Sequence, residues 1–249
     1  DYANFNAFHT WVEFINRLAG ALAGIATLIV GLLSIRYWKK KKRIPLLSLV
    51  VILEMGFQAW LGKTVVDSNL LPAKITVHMV MALLIVALLV YLYAFTSPHK
   101  KEAINPPALI KKLGLVALGL TLIQIGIGTQ IRQFIDLQID FYGLDQAAKW
   151  LNPTPFKFYF HRSFSILVVL INGYLFYALR KMNLNFPVFK WVLFTLICEV
   201  LTGILMYYLD FPFASQPLHL LLASLLFGAQ LYFLFQLFNH HINLPKHDL

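Results

Sequence analysis

Seven apolar stretches, each close to the length that crosses a bilayer as a helix, constrain this chain more than any other feature. They run over about 18–35, 46–61, 75–95, 113–131, 163–179, 191–209 and 218–238. A helix rising 1.5 Å per residue needs roughly 20 residues to cross a hydrocarbon core about 30 Å thick. Only 13% of residues are charged, against roughly 25% in a soluble domain. Glycine and proline fall mostly at or between the stretches, and no period-2 alternation suggests a barrel. The expected fold class is therefore an all-α polytopic membrane protein with seven transmembrane helices.

The net charge of +10 is a topology signal rather than a nucleic-acid footprint, because of where it lies. "RYWKKKKR" (36–43), "HKKEAINPPALIKK" (99–112) and "RKMNLNFPVFK" (180–190) alternate with the acid-bearing connections 65–74, 132–150 and 210–217. Lys- and Arg-rich loops stay cytoplasmic, so the first set is expected inside and the second outside. Seven spans satisfy the alternation without conflict. Asp1 opens into an outside-facing segment with neither an initiator Met nor a signal-peptide pattern, and an odd span count that starts outside suggests a further span upstream. The lone cysteine, Cys198, lies within the sixth stretch, where a single thiol can form no internal disulfide and is expected only to pack.

The chain also repeats itself. "EFINRLAG" (13–20) has a near-echo in "FYFHRSFS" (158–165), with His161 where the first copy has Asn16. "FQAWLG" ends at Gly62 and "CEVLTG" at Gly203. Each glycine is followed after 16 residues by a histidine, His78 and His219, and preceded by four residues by Gln58 or Glu199. The residue four positions beyond each of Asn16, His78, His161 and His219 is small: Gly20, Ala82, Ser165 and Ala223. Positions i and i+4 share a helix face, so each ligand-type residue has clearance one turn deeper, as a flat macrocycle held by an axial side chain requires. The second half holds four spans and the first three. Two pseudo-twofold-related four-helix bundles are expected, over 1–98 and 107–249, the first lacking its first helix.

His78, His161 and His219 are all expected near the outer ends of their spans. Polar groups at membrane depth are expensive, about 2.5–3.5 kcal/mol for a charge at the centre. Neutral imidazole is cheaper and is a common axial ligand of haem iron. His161 and His219 read as a bis-histidine haem site; the bland alternative is a pair of interhelical hydrogen bonds. In the first half Asn16 holds the second ligand position, and Glu13, on the same face, stands where the other copy has Phe158. The result resembles a saturated cofactor site beside an open, reactive one, although Glu13 would also suit a helix N-terminus. Arg17 and Arg162 would pair with haem propionates or snorkel to the interface. Glu54 is expected to be protonated or paired, and Gln58 and Glu199 to bond across the bundle. His9, His99, His240, His241 and His247 have no repeat partner and no assigned role.

With "VEFINRLAG", "FQAWLGKTVVDSNL", "ITVHMVMA", "FYFHRSF" and "PLHLLLAS" together, essentially the whole chain resembles the haem A synthase family, less that family's first span and much of its first outer loop. The resemblance implies eight helices in two halves and oxidation of the C8 methyl of haem O to a formyl, by two hydroxylations and loss of water, for cytochrome oxidase. It implies a haem b cofactor on His161 and His219, and a substrate site for haem O at Glu13, Asn16 and His78. Many family members carry histidine in an E-x-x-H-R pattern where this chain has Asn16, which marks a subtype. The implied partners are haem O and haem A, membrane lipid, haem O synthase, cytochrome oxidase assembly proteins and an unnamed electron donor, with no nucleic acid. The implied location is a bacterial cell membrane, or the mitochondrial inner membrane in a eukaryote, with the haem sites toward the outer face. Two rival readings are a b-type cytochrome that carries electrons without altering porphyrin, and a transporter of parallel repeats.

Overall fold

The computed structural model describes residues 7–68, 72–97 and 106–238. They form seven long helices: α1 (Ala7–Ser34), α2 (Arg43–Asp67), α3 (Pro72–Thr96), α4 (Ala108–Tyr142), α5 (Phe156–Lys181), α6 (Val188–Tyr208) and α7 (Ser215–Phe238). All seven are long and apolar enough to span a membrane. His99, His240, His241 and His247 lie outside the described residues, as does the His9 side chain.

The helices begin and end for local reasons. Pro107, Pro155 and Pro187 immediately precede α4, α5 and α6, and Pro72 opens α3. Proline fits there because the first-turn N–H groups have no intrahelical partner to lose. At the end of α4, Gly143 adopts φ 83° and its N–H reaches Ile139 O at 2.8 Å. Helix α5 closes with Asn183 at φ 52°, Leu184 N–H on Leu179 O and Asn183 N–H on Arg180 O, the bond pair of a Schellman motif.

Two elements run well past the apolar stretches. Helix α1 starts at Ala7 rather than near 18, and α4 continues to Tyr142 rather than stopping near 131. Hydropathy falls at these extensions but helical pairing does not: Glu13 with Arg17, and Asp136 with Arg132, are i,i+4 ion pairs that support a helix beyond its apolar part. Helix α5 likewise begins at Phe156, so His161 lies within it.

The chain divides into two compact units, Asp1–Thr96 and Ser97–Leu249. In the first, α2 packs against both α1 and α3. In the second, α4 packs on α5 and α7, and α6 packs on the same two, closing a ring of four helices. Helices α5 and α7 therefore face each other across its diagonal.

The second unit concentrates its apolar core at one end, around Ile110, Leu175, Val192, Phe233 and Leu237. Lipid tails are as apolar as leucine, so close packing and interhelical polar bonds, not exclusion of water, hold such helices together. One of those bonds lies within the core: Gln230 Nε2 donates to Asn172 Oδ1 at 3.1 Å, with the two residues 2% and 0% exposed. Asn172 also donates to Val168 O in its own helix. This amide bridge ties α5 to α7 along the diagonal. At the opposite end, the 143–155 and 209–214 connections meet where Trp150 packs on Phe211 with ring centroids 5.4 Å apart.

Candidate functional site

In the second unit, His161, Glu199 and His219 lie toward the end away from that core. His78, His161 and His219 stand six, five and four residues into α3, α5 and α7, or about 6–9 Å from the helix starts at 1.5 Å per residue. The neighbouring helix brings a polar side chain to each. Gln58 Nε2 lies 3.3 Å from His78 Nε2 and donates to His78 O at 3.0 Å. Gln124 Nε2 lies 3.4 Å from His161 Nε2 and donates to His161 O at 3.1 Å. Glu199 Oε1 lies 3.3 Å from His219 Nε2, and Thr202 Oγ1 lies 3.0 Å from His219 Nδ1.

One turn beyond each of these polar residues is a glycine that faces the same ring. A Cβ added at Gly62, Gly128 or Gly203 would meet the histidine Cε1 at 3.3, 3.2 or 3.5 Å. Each imidazole is thus backed by a bare patch of helix, and Ala82, Ser165 and Ala223 keep the turn beneath it small. Gln58 and Glu199 bond the adjacent histidine helix, not a partner across the bundle, because the i−4 position from the glycine points at that neighbour.

Gln124 and Gly128 have no counterpart in the sequence reading above. Their signal was available: "QIGIG" (124–128) has the four-residue spacing of "QAWLG" and "EVLTG". The separation from its histidine hides it. Gly128 precedes His161 by 33 residues rather than 16, since the extension of α4 and the 143–155 connection intervene.

The donor set suits haem iron. Two imidazoles approach from helices that face each other across one bundle, a neutral nitrogen pair of the kind that ligates haem. Buried Nδ1 atoms of His78 and His161 have no hydrogen-bond partner among the described residues, and such a group costs about 1–3 kcal/mol when left unsatisfied. His219 differs in having a partner at both ring nitrogens, Glu199 and Thr202, and Nε2 of His78 and His161 lies beside a glutamine amide, so an iron bound at any of these rings would displace a side-chain partner or use Nδ1.

The remaining sequence-selected residues fall as follows. Arg17 donates from Nε and Nη2 to Glu13 Oε1 at 2.9 and 2.6 Å, on an exposed face of α1; a salt bridge this exposed is worth at most about 1 kcal/mol. Asn16 lies on α1 beside that pair and is also exposed. Phe158, the counterpart of Glu13, stacks on Tyr207 of α6 with centroids 5.0 Å apart. Arg162 lies over the rings of Tyr159 and Tyr207, at 5.8 and 6.0 Å. Glu54 keeps a buried Oε2 with no hydrogen-bond partner among the described residues.

Comparison with known proteins gives two matches. Residues 2–231 match the COX15-CtaA family model, described as cytochrome oxidase assembly protein. The heme A synthase of Wolbachia pipientis subsp. Culex pipiens (strain wPip) is 28% identical over 248 residues, covering 89% of this chain and 72% of that protein. No solved structure matches.

Proposed function

Because this chain belongs to the COX15-CtaA family of cytochrome oxidase assembly proteins, we propose that it is a haem A synthase that oxidises the C8 methyl of haem O to a formyl. The methyl is hydroxylated twice and the resulting geminal diol loses water. The protein is an integral membrane oxidoreductase. The observation that carries the division of labour is the diagonal pair His161 and His219 in the second unit, against His78 in the first.

In the second unit His161 and His219 would hold a haem b, which supplies one-electron redox chemistry when bound. Gly128 and Gly203 leave room beside the Cε1 edge of each imidazole. Arg162, set between Tyr159 and Tyr207 near the helix start, is placed to meet a propionate. A site made of two strong ligands on packed helices keeps its cofactor.

In the first unit His78 is the strong ligand for the substrate and Asn16 offers only an amide, a weak partner for iron. A substrate that enters and leaves is served by that inequality. Glu13 sits one turn from Asn16 and is hydrogen-bonded to Arg17, which keeps a carboxylate oriented near the helix start. It would hold or relay a proton while the methyl is oxidised. The sites lie toward the outer face, following the charge asymmetry of the loops.

The test is to supply haem O to the purified protein, with a reductant and oxygen, and to chromatograph the extracted haems. Haem A appearing at the expense of haem O, with haem B constant, is the expected result. Haem B alone, with haem O returned unchanged under every reductant tried, would replace this reading with that of a b-type electron carrier.

A further inference from the structure

At its core end, away from the histidines, the second unit has a cavity of about 590 Å³ where α5 closes and α6 begins. Arg180 from the last turn of α5 and Lys190 from the first turn of α6 both line it, as do the amides of Asn183 and Asn185. The turn made at Asn183, with φ 52°, brings the two helix ends to one opening. Phe176 and Phe189 form an apolar wall, stacked with centroids 6.5 Å apart. The Arg180 guanidinium lies 5.9 Å over the Phe176 ring. Neither cation pairs with an acid among the described residues. The segments at this end, 106–112 and 178–190, carry five Lys or Arg and no Asp or Glu. Like charges gathered at one opening repel, so the cavity favours an anion.

We propose that this cavity seats the phosphate headgroup of an anionic phospholipid, with an acyl chain laid along the seam between α5 and α6. By the charge of its loops this is the cytoplasmic end, where basic pockets between membrane-spanning helices suit such headgroups. A guanidinium forks onto phosphate oxygens, and an ammonium and two amides add donors. The seam supplies the other half of the site. Helices α5 and α6 pack less closely than α4 with α5 or α6 with α7. Phe176 meets Phe189 of α6, and Gly173, three residues before it, has no atom within 4 Å of where a Cβ would stand. That leaves a lane for a chain beside the headgroup, for which a free phosphate ion has no use. The site lies at the opposite end from the histidines, so the inference goes beyond the haem reading and does not rest on it.

The test is native mass spectrometry of the full chain in detergent, titrated with dioleoylphosphatidylglycerol and separately with dioleoylphosphatidylcholine. One phosphatidylglycerol is expected to bind more tightly than phosphatidylcholine. Arg180→Gln and Lys190→Gln should each weaken it about five-fold, the equivalent of about 1 kcal/mol per cation near an anionic surface. Lys181→Gln should leave it unchanged, because that ammonium lies over Tyr177 and does not line the cavity. All three side chains are exposed at helix ends, so the substitutions leave the core as it is. Equal weakening by all three would make the cavity part of a diffuse basic surface and overturn the proposal. Equal affinity for the two lipids would overturn it too. So would displacement of the lipid by equimolar inorganic phosphate, which would make the occupant a free anion.

Discussion

The two units carry one repeat and diverge at the positions proposed to hold a ligand. In the second, the histidines stand on α5 and α7, the helices that face each other across a closed ring of four. Eleven residues beyond each, on nearly the same helix face, are Asn172 and Gln230, joined by a buried hydrogen bond. The corresponding places beyond Asn16 and His78 are Thr27, which bonds Gly24 O of its own helix, and Leu89. Phe158 stacks on the next helix, whereas Glu13 pairs with Arg17 on its own. On the proposed reading, retention is built twice in the second unit, once at the ligands and once three turns below, and neither device appears among the described residues of the first.

The comparison can be broken or sharpened in steps. The largest effect is expected from His219→Ala, which on the proposed ligation would leave haem B a single protein ligand: pyridine haemochrome assay should find it lost from the purified protein. Next, Glu13→Gln should reduce haem A formation by about 100-fold, the low end of general acid–base contributions, while haem B content stays constant. A fall in haem B alongside would mean that Glu13 supports the fold.

The glycines give a graded test. Alanine gains about 1 kcal/mol over glycine in a helix interior, while overpacking costs about 1–3 kcal/mol. At Gly203 the added methyl meets His219 at an ordinary 3.5 Å, so Gly203→Ala should be neutral or slightly stabilising. At Gly128 the 3.2 Å approach to His161 forces the ring to shift, so Gly128→Ala should lower haem B retention where Gly203→Ala does not. Gly62→Ala, at 3.3 Å from His78, should spare haem B and weaken haem O binding. Smallest is the amide bridge. Interhelical hydrogen bonds in membrane proteins average about 0.6 kcal/mol and reach about 1.7. Asn172→Leu should therefore lower unfolding stability in detergent by about 1 kcal/mol and leave the first unit's chemistry unchanged.

Much of this was legible in the sequence for identifiable reasons. Seven spans follow from hydropathy alone, since a bilayer demands apolar length. His78 and His219 were found through a fixed 16-residue spacing, because a short connection between two packed helices preserves register. The α4 partner of His161 was not, because the connection after α4 has a different length and fixed-interval comparison passes over it. Helix ends at Ala7 and Tyr142 were missed because hydropathy reports the lipid core, not the paired, partly polar turns beyond it. That Gln58 and Glu199 hold histidines on the adjacent helix depends on the rotation of each helix in its bundle, which packing sets.

The most direct test of the two-role account is the haem complement of His78→Ala and His161→Ala, purified in parallel after expression with a haem O supply. The account predicts that His161→Ala loses haem B, and that His78→Ala keeps haem B while losing bound haem O and haem A. Equal loss of the same haems from both variants would contradict it.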